Sequence, residues 1–177
     1  MGDDERFLRL LEPEYAKALA FARSLSRSRG EGDDLLQEAC ERALKALGKL
    51  RDDAAFRGWF YRIVINAHRT RTRRGFWRRF LPIAAEESAA VEDYRVATWS
   101  PDQAEAARRA RQALARLPAV QREAIVLFEI EGWTVEEVAV VQGVSVSAVK
   151  SRLARGRERM RAFYERGAKA ALATEEP

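Results

Sequence analysis

Cysteine and histidine are nearly absent from this chain of 177 residues, which contains only Cys40 and His68. A lone cysteine cannot form a disulfide within the chain, and one cysteine with one histidine cannot build a clustered metal site, so we expect no metal and no cofactor. The sequence also lacks any run near the roughly 18 apolar residues that span a bilayer, and its first residues are acidic and amphipathic. These absences favour a reducing, cytoplasmic setting without membrane insertion.

Strand patterns are also scarce, and helical periodicity fills most of the chain, which predicts an all-α protein. Charged residues make up 33% of the sequence, with a net charge of +5 and a pI near 9.7, so a polyanion is the expected partner. The predicted organisation is a first helical domain over residues 5–75, a flexible linker over 76–99, a second helical domain over 100–167 and a tail over 168–177.

The first domain shows three helical stretches. The first has apolar periodicity from Phe7 through Ala22 and is predicted to break at residues 28–32. The second is predicted to be capped by Asp34 with Gln37, and its buried stripe comprises Leu35, Leu36, Ala39, Ala43, Leu47 and Leu50. The third follows a short loop and is predicted to run from Phe56 to about Arg73.

The second domain carries clear helix-start signals. Ser100, with proline next and glutamine three positions on, predicts a capped helix, and Pro118 and Gly132 delimit the next one. Thr134 with Glu137 forms a further capping box before two short helical patterns hinged at Gly143, the outline of a helix-turn-helix. The second of these helices is predicted to start at Ser145 and end near Arg166. Its predicted inward residues are Val146, Val149, Leu153 and Met160, and its outward residues are Lys150, Ser151, Arg152, Arg155 and Arg159.

Acidic residues are missing from residues 54 to 85, where arginines accumulate among aromatic residues. Arginine mixed with aromatic rings suits single-stranded DNA, because the cations meet the backbone and the rings stack on exposed bases. Some of these side chains must instead form the core of a small three-helix unit, and we assign Phe60, Ile63 and Val64 to it. Trp59 and Tyr61 fit either role.

Three motifs, in order, resemble those of the sigma-70 family of RNA polymerase sigma factors, specifically its extracytoplasmic-function group. The clamp-binding signature is similar to residues 34–43, DLLQEACERA, and the promoter-melting signature to residues 56–66, FRGWFYRIVIN. The C-terminal signature is similar to Leu117-Pro118 with Arg122-Glu123-Ala124, then to the helix-turn-helix ending in Val149-Lys150-Ser151-Arg152. The resemblance extends over roughly residues 6 to 165.

This resemblance implies a region 2-like helical bundle and a region 4-like helix-turn-helix domain. It implies core polymerase contacts at Asp34, Leu35, Gln37, Glu38 and Glu41. It implies minus-10 DNA contacts at Arg51, Asp52, Asp53, Ala54, Phe56, Trp59, Tyr61, Arg62, Asn66, Arg69 and Arg73, with a flipped base captured by the loop at residues 50–56. It implies minus-35 DNA contacts at Arg122, Thr134, Ser145, Ser147, Ala148, Lys150, Ser151, Arg152, Ala154, Arg155 and Arg159.

The partners implied are bacterial core RNA polymerase, through its beta-prime clamp and beta flap, duplex and single-stranded promoter DNA, and an anti-sigma factor. Ala148 and Ala154 depart from the family pattern and remove possible DNA contacts, so the family's minus-35 preference does not carry over. The stretch from Asn66 to Arg74 is more basic than usual, which predicts greater sensitivity of DNA binding to salt.

Three other classes of function fit the sequence less well. A sigma-like decoy acting only through protein binding would not need the arginines and aromatic residues, and a simple helix-turn-helix regulator would leave the first domain unexplained. An enzyme using Asp33, Asp34, Glu38 and Glu41 would need a nucleophile with its base, or a phosphate-binding loop, and neither pattern is present. Cys40 fits a small buried residue better than a redox sensor. The predicted protein is a non-enzymatic sigma factor.

Overall fold

The computed structural model describes the backbone of residues 2–78 and 100–174 and the side chains of residues 2–73 and 100–168. Within these ranges all regular structure is helical, as predicted. The first compact unit contains α1 (Asp3–Leu11), α2 (Tyr15–Leu25), α3 (Arg29–Ala46) and α4 (Phe56–Arg78). The second contains α5 (Pro101–Ala115), α6 (Ala119–Ile125), most of α7 (Val135–Gln142) and α8 (Val146–Thr174). Short 3₁₀ turns at Leu47–Lys49 and Asp53–Ala55 connect α3 to α4.

The core of the first unit is built around α4. Phe60, Val64 and Ala67 are fully buried on one side of this helix, and the predicted stripe from Leu35 to Leu50 is buried as well. Aromatic rings join α1 to α4, because Phe7 lies 6.0 Å from Phe56 between ring centroids and 6.4 Å from Phe60. Burial of these large apolar side chains supplies most of the driving force for packing.

Helices α2 and α3 approach each other closely at Gly32. A Cβ atom at this position would lie 2.6 Å from the Cα atom of Arg23, which is backbone and cannot turn aside. Beside this contact, Arg23 Nε donates a hydrogen bond of 2.7 Å to Asp33 Oδ1. The absence of a side chain at Gly32 therefore sets the separation of the two helices.

Two helix starts in the first unit differ from the sequence prediction. The stretch from Phe7 to Ala22 is broken between Leu11 and Tyr15, because Pro13 lacks a backbone N–H and cannot continue α1. The predicted cap of α3 by Asp34 and Gln37 is wrong. Ser28 caps the helix instead, and its Oγ accepts the Glu31 N–H at 3.2 Å.

The second unit begins with the predicted Ser100 capping box. Ser100 Oγ accepts the Gln103 N–H, and Gln103 Oε1 accepts the Ser100 N–H. After α6 the backbone forms a π-helical segment, Val126–Ile130, in which the Glu131 N–H donates to the Val126 carbonyl at 3.0 Å. An ion pair of 2.6 Å between Arg157 and Glu129 joins this segment to α8.

Two helices extend beyond the predicted boundaries. Helix α4 continues to Arg78, three residues into the predicted linker, and α8 continues to Thr174 rather than ending near Arg166. The remainder of the linker and the last three residues of the tail lie outside the described residues. Neither extension contains proline, and the one glycine in each lowers helix propensity without ending the helix.

Candidate nucleic-acid interface

The outer side of α4 carries a row of polar and aromatic residues. They follow one another at intervals of three or four positions, which places them on one face of the helix: Trp59, Arg62, Asn66, Arg69 and Arg73. Arg62, Asn66 and Arg73 are exposed, and Trp59 and Arg69 are half-buried. This row, called the α4 stripe, lies opposite the buried side of the helix that contains Phe60 and Val64.

Two aromatic residues predicted to contact DNA lie in the core instead. Tyr61 is 0% exposed, and its ring packs 5.2 Å from that of Phe21. Phe56 is also buried and stacks on Phe60 at 5.5 Å. Neither ring is available to a base in this structure, so Trp59 is the aromatic residue that the α4 stripe presents.

The loop before α4 is held by its own aspartates. Asp52 Oδ1 accepts the Ala54 N–H at 2.9 Å and so caps the 3₁₀ turn. Asp53 is bound through both carboxylate oxygens by Arg6 and Arg9 of α1. Arg51 and Ala54 are exposed and form the accessible part of this loop.

The residues predicted to bind polymerase all lie on α3, but one of them is buried in the core. Asp34, Gln37 and Glu41 are exposed at intervals of three and four, which places them on one face. Leu35 is only 1% exposed and packs inside the unit.

Glu38, on the same helix, is engaged by two arginines. Arg71 Nε donates to Glu38 Oε2 at 2.5 Å, and Arg42 donates to Oε1. Arg71 also donates to the carbonyl oxygens of Glu31 and Asp34, which ties α4 to the start of α3. Burial acts to raise the pKa of Glu38, but the hydrogen bonds and charges of Arg71 and Arg42 outweigh it and hold that pKa below its ordinary value.

The helix-turn-helix of the second unit has the predicted hydrogen bonds. The Thr134 N–H donates to Glu137 Oε2 at 2.7 Å, and Thr134 Oγ1 accepts the Glu137 N–H at 3.2 Å. The turn is made by Gly143, whose φ of 67° lies in the left-handed region that favours glycine. Ser145 Oγ accepts the Ala148 N–H at 3.2 Å and caps α8. Thr134 and Ser145 thus have defined roles in placing the two helices.

Helix α8 presents one side to its unit and the other to solvent. Val149 and Leu153 are buried, as predicted, and Val146 and Met160 are half-buried. Six of the predicted DNA-contacting residues on this helix are exposed: Ser147, Lys150, Ser151, Ala154, Arg155 and Arg159. Ala148 and Arg152 are half-buried at its edge. These six residues therefore combine three small side chains, two of which carry hydroxyl groups, with three cations.

Arg122 lies apart from this face. Its Nη2 atom donates to the carbonyl oxygens of Ala115 and Leu117 at 2.9 and 3.1 Å, at the end of α5. These bonds satisfy carbonyls that the helix end leaves unpaired. Arg122 is therefore in place to shape the turn between α5 and α6.

The arginines that organise the first unit carry no distinguishing signal in the sequence. Arg6 and Arg9 stand three positions apart on α1, and that spacing indicates a shared face without indicating its partner. Arg71 is one of many basic residues in α4, and the sequence does not indicate that its partners lie on α3. In the described part of the chain, no group of three or more His, Cys, Asp or Glu residues is placed to hold a metal ion, and no helix is long and apolar enough to cross a membrane.

A protein that combines a cationic and aromatic helix face in one helical unit with a helix-turn-helix in another is a helical DNA-binding regulator. The family model described as Sigma-70 region 2 matches residues 10–78, and the model described as Sigma-70, region 4 matches residues 107–160. The ECF RNA polymerase sigma factor SigM of Mycobacterium tuberculosis is 35% identical over 159 residues, which cover 90% of this chain and 77% of SigM.

Solved structures give the same result. The sigma factor RpoE, in complex with the anti-sigma factor NepR from Bartonella quintana, matches with a TM-score of 0.76 and 27% identity over 90% of this chain and 96% of RpoE. CnrH, in complex with the cytosolic domain of CnrY, matches with a TM-score of 0.63 and 28% identity over 90% of this chain and 87% of CnrH.

The chain belongs to the sigma-70 family of RNA polymerase sigma factors, in its extracytoplasmic-function group. Sigma factors are DNA-binding regulatory proteins rather than enzymes, and membership implies a role in promoter-specific initiation of transcription.

Proposed function

We propose that the first unit recognises and melts the minus-10 element through the α4 stripe. The stripe offers guanidinium groups for phosphates, an indole for stacking and the Asn66 amide for hydrogen bonds to a base. The loop at residues 50–56 receives a base flipped from the non-template strand. Unstacking that base costs a few kcal/mol, which contacts in the loop offset. Tyr61 and Phe56 support this surface from the core and do not touch DNA.

The second unit reads the minus-35 element with α8. In helix-turn-helix proteins the first residues of the second helix reach base edges in the major groove, and here these residues are Ser147, Lys150 and Ser151. Arg155 and Arg159 follow on the exposed side and contact phosphates. Ala154 has no hydrogen-bonding group, so it contributes at most an apolar contact.

Core polymerase binds the exposed face of α3. Asp34, Gln37 and Glu41 meet the beta-prime clamp, with Glu38 beside them, while the second unit meets the beta flap. Leu35 supports this face from the core, because its burial keeps it away from a partner.

An anti-sigma factor is the proposed regulator. RpoE, which resembles this chain in fold, was solved in complex with the anti-sigma factor NepR, and CnrH, which also resembles it, with the cytosolic domain of CnrY. Affinity purification of the tagged protein from its own cells tests the proposal. Recovery of a partner that blocks the protein's binding to core polymerase is the expected result, and recovery of polymerase alone under all growth conditions would contradict it.

One observation carries the proposed function. The core side of α4 and the exposed Arg62, Asn66 and Arg73 of the stripe lie on opposite faces of one helix, so these three side chains are not part of the unit's core. The experiment is transcription by core polymerase on fragmented genomic DNA, with and without the protein, followed by sequencing of RNA 5′ ends. New start sites that share an upstream two-part motif are expected. Stable binding to core without new starts would favour a decoy, and no binding to core would exclude a sigma factor.

Variants of each unit separate the proposed minus-10 contact from the proposed minus-35 contact. Arg62→Gln with Asn66→Ala should reduce starts about tenfold or more and leave core binding unchanged, because contacts of this kind contribute roughly 1–3 kcal/mol each. Lys150→Gln with Ser151→Ala should weaken dependence on the minus-35 half of the motif. The matched controls are Lys17→Gln on α2, which lies outside the α4 stripe, and Arg166→Gln on α8, which is exposed about two helical turns beyond Arg159.

A further inference from the structure

The carboxylate of Asp53 is held from α1 through both of its oxygens. Arg6 reaches Oδ1 with Nε at 2.9 Å and Nη2 at 2.5 Å, and Arg9 Nη2 reaches Oδ2 at 3.0 Å. Both oxygens of this carboxylate therefore already accept hydrogen bonds from arginine. Asp53 was predicted to contact DNA, and these bonds assign it a different task.

Arg6 also reaches the other end of the loop. Its Nη2 atom donates to the Leu50 carbonyl oxygen at 3.0 Å, so one guanidinium joins the residue before the loop to the turn that precedes α4. The side chains of Leu50 and Phe56 are buried, and Phe7 of α1 packs against Phe56. Helix α1 therefore fixes both ends of the loop through one arginine and one aromatic ring.

We propose that Arg6, assisted by Arg9, is a positioning residue that holds residues 51–55 in the shape that accepts the flipped base. This inference rests on the proposed function of the loop. A loop fixed before binding loses less conformational entropy when DNA arrives, so preorganisation appears as a gain in DNA affinity. The two arginines also neutralise a carboxylate that would otherwise repel the phosphates of the strand.

The contribution of this ion pair to overall stability is small by comparison. The side chains of Arg6 and Asp53 are 23% and 38% exposed, and ion pairs at such positions add little to the free energy of unfolding. The effect of losing Arg6 is therefore expected at the loop and not across the unit.

The test compares Arg6→Gln with wild type in holoenzyme assembled on core polymerase. Starts from promoters defined by the wild-type protein should fall about tenfold, in line with the coupling of residues in direct contact, while affinity for core stays the same. Hydrogen exchange should become faster in the amides of residues 51–55 and stay unchanged in α2 and α3. Lys17→Gln removes one exposed positive charge that does not contact Asp53 and should match wild type.

A second variant tests whether Arg6 acts through Asp53. If it does, the double variant Arg6→Gln with Asp53→Asn should be about as active as the less active of the two single variants. The contact that the two residues share is then lost only once. Losses that multiply would overturn the inference, as would an Arg6→Gln protein with normal loop protection and normal transcription. Faster exchange throughout α2 and α3 would also overturn it, because Arg6 would then be needed for the fold. Wild-type protein that directs no promoter-specific starts would instead overturn the proposed function itself.

Discussion

At the scale of single residues, arginines of the first unit serve either the surface or the fold, and their number alone does not separate the two. Arg62 and Arg73 are exposed on the α4 stripe, whereas Arg71, between them, bonds to Glu38 and to two carbonyl oxygens of α3. Arg71 therefore anchors the helix that presents the stripe. Arg62 and Arg73 are the residues proposed to bind DNA phosphates.

Glu38 gives a prediction for stability against pH. Its pKa is lowered in the folded chain, so its stabilising contribution is present above the ordinary glutamate value of 4.5 and is lost as pH falls through the lowered folded value. At neutral pH, Glu38→Gln should cost about 1 kcal/mol, a figure reduced for the partial exposure of both arginines. Urea unfolding at several pH values between 7 and 3 should show that the difference in free energy of unfolding between Glu38→Gln and wild type becomes smaller as pH falls. Glu41→Gln is the control, and a constant difference for Glu38→Gln would contradict the prediction.

At the scale of elements, two glycines on α3 stand in opposite surroundings. A Cβ atom at Gly32 would meet the backbone of Arg23, whereas a Cβ atom at Gly30 would meet nothing within 4 Å. The same substitution at the two positions therefore separates helix propensity from helix packing.

Gly32→Ala should destabilise the first unit by about 1–3 kcal/mol, because α2 and α3 must move apart to admit the methyl group. Gly30→Ala should stabilise it by about 0.5 kcal/mol through reduced freedom of the unfolded chain. Thermal or urea unfolding measures both. Equal effects at the two positions would show that the helices are free to shift, contrary to the prediction.

The capping box of α7 gives a second prediction for an element. Thr134→Ala removes the hydroxyl that accepts the Glu137 N–H and should cost about 1 kcal/mol of stability in the second unit. Thr134→Ser keeps an acceptor and should stay within a few tenths of wild type. Urea unfolding checks both variants, and equal losses for alanine and serine would mean that the methyl group of Thr134, and not its hydroxyl, is responsible.

Prediction from sequence succeeded where the signal is local. The caps at Ser100 and Thr134 and the turn at Gly143 depend on residues a few positions apart, and the structure confirms them. The cap of α3 was misplaced because Ser28 and Asp34 are both favourable helix-capping residues. Both also precede the apolar stripe that begins at Leu35, so the stripe does not distinguish between them. The burial of Tyr61 could not be predicted, because it depends on Phe21 of another helix.

At the scale of the whole molecule, positive charge is concentrated where DNA is proposed to bind. The chain carries 32 Lys and Arg residues against 27 Asp and Glu residues, so the net excess is modest. Some of the acidic residues pair with arginines of the chain itself, as Glu38 and Asp53 do. The exposed arginines of α4 and α8 are then left to face the polyanion.

The salt dependence of DNA binding tests whether the positive charge on α4 governs it. Each phosphate contact contributes roughly 0.7 to 0.9 to the slope of log affinity against log salt concentration. Arg62→Gln with Arg73→Gln should therefore reduce the slope for holoenzyme on promoter DNA by about 1.5. Lys17→Gln with Arg108→Gln removes the same charge from exposed positions on α2 and α5 and should leave the slope unchanged. Equal changes in the two double variants would indicate that net charge, and not the α4 stripe, governs binding.

The contact between Arg6 and Asp53 has a consequence for building chimeric sigma factors. The region 2 family match begins at residue 10, after both arginines that hold Asp53. A graft cut at that boundary would transfer the loop without its supports and leave a carboxylate facing DNA. Transplants of promoter preference between relatives should therefore include residues 3–9, and a donor whose first helix lacks these arginines should bring its own residue at position 53.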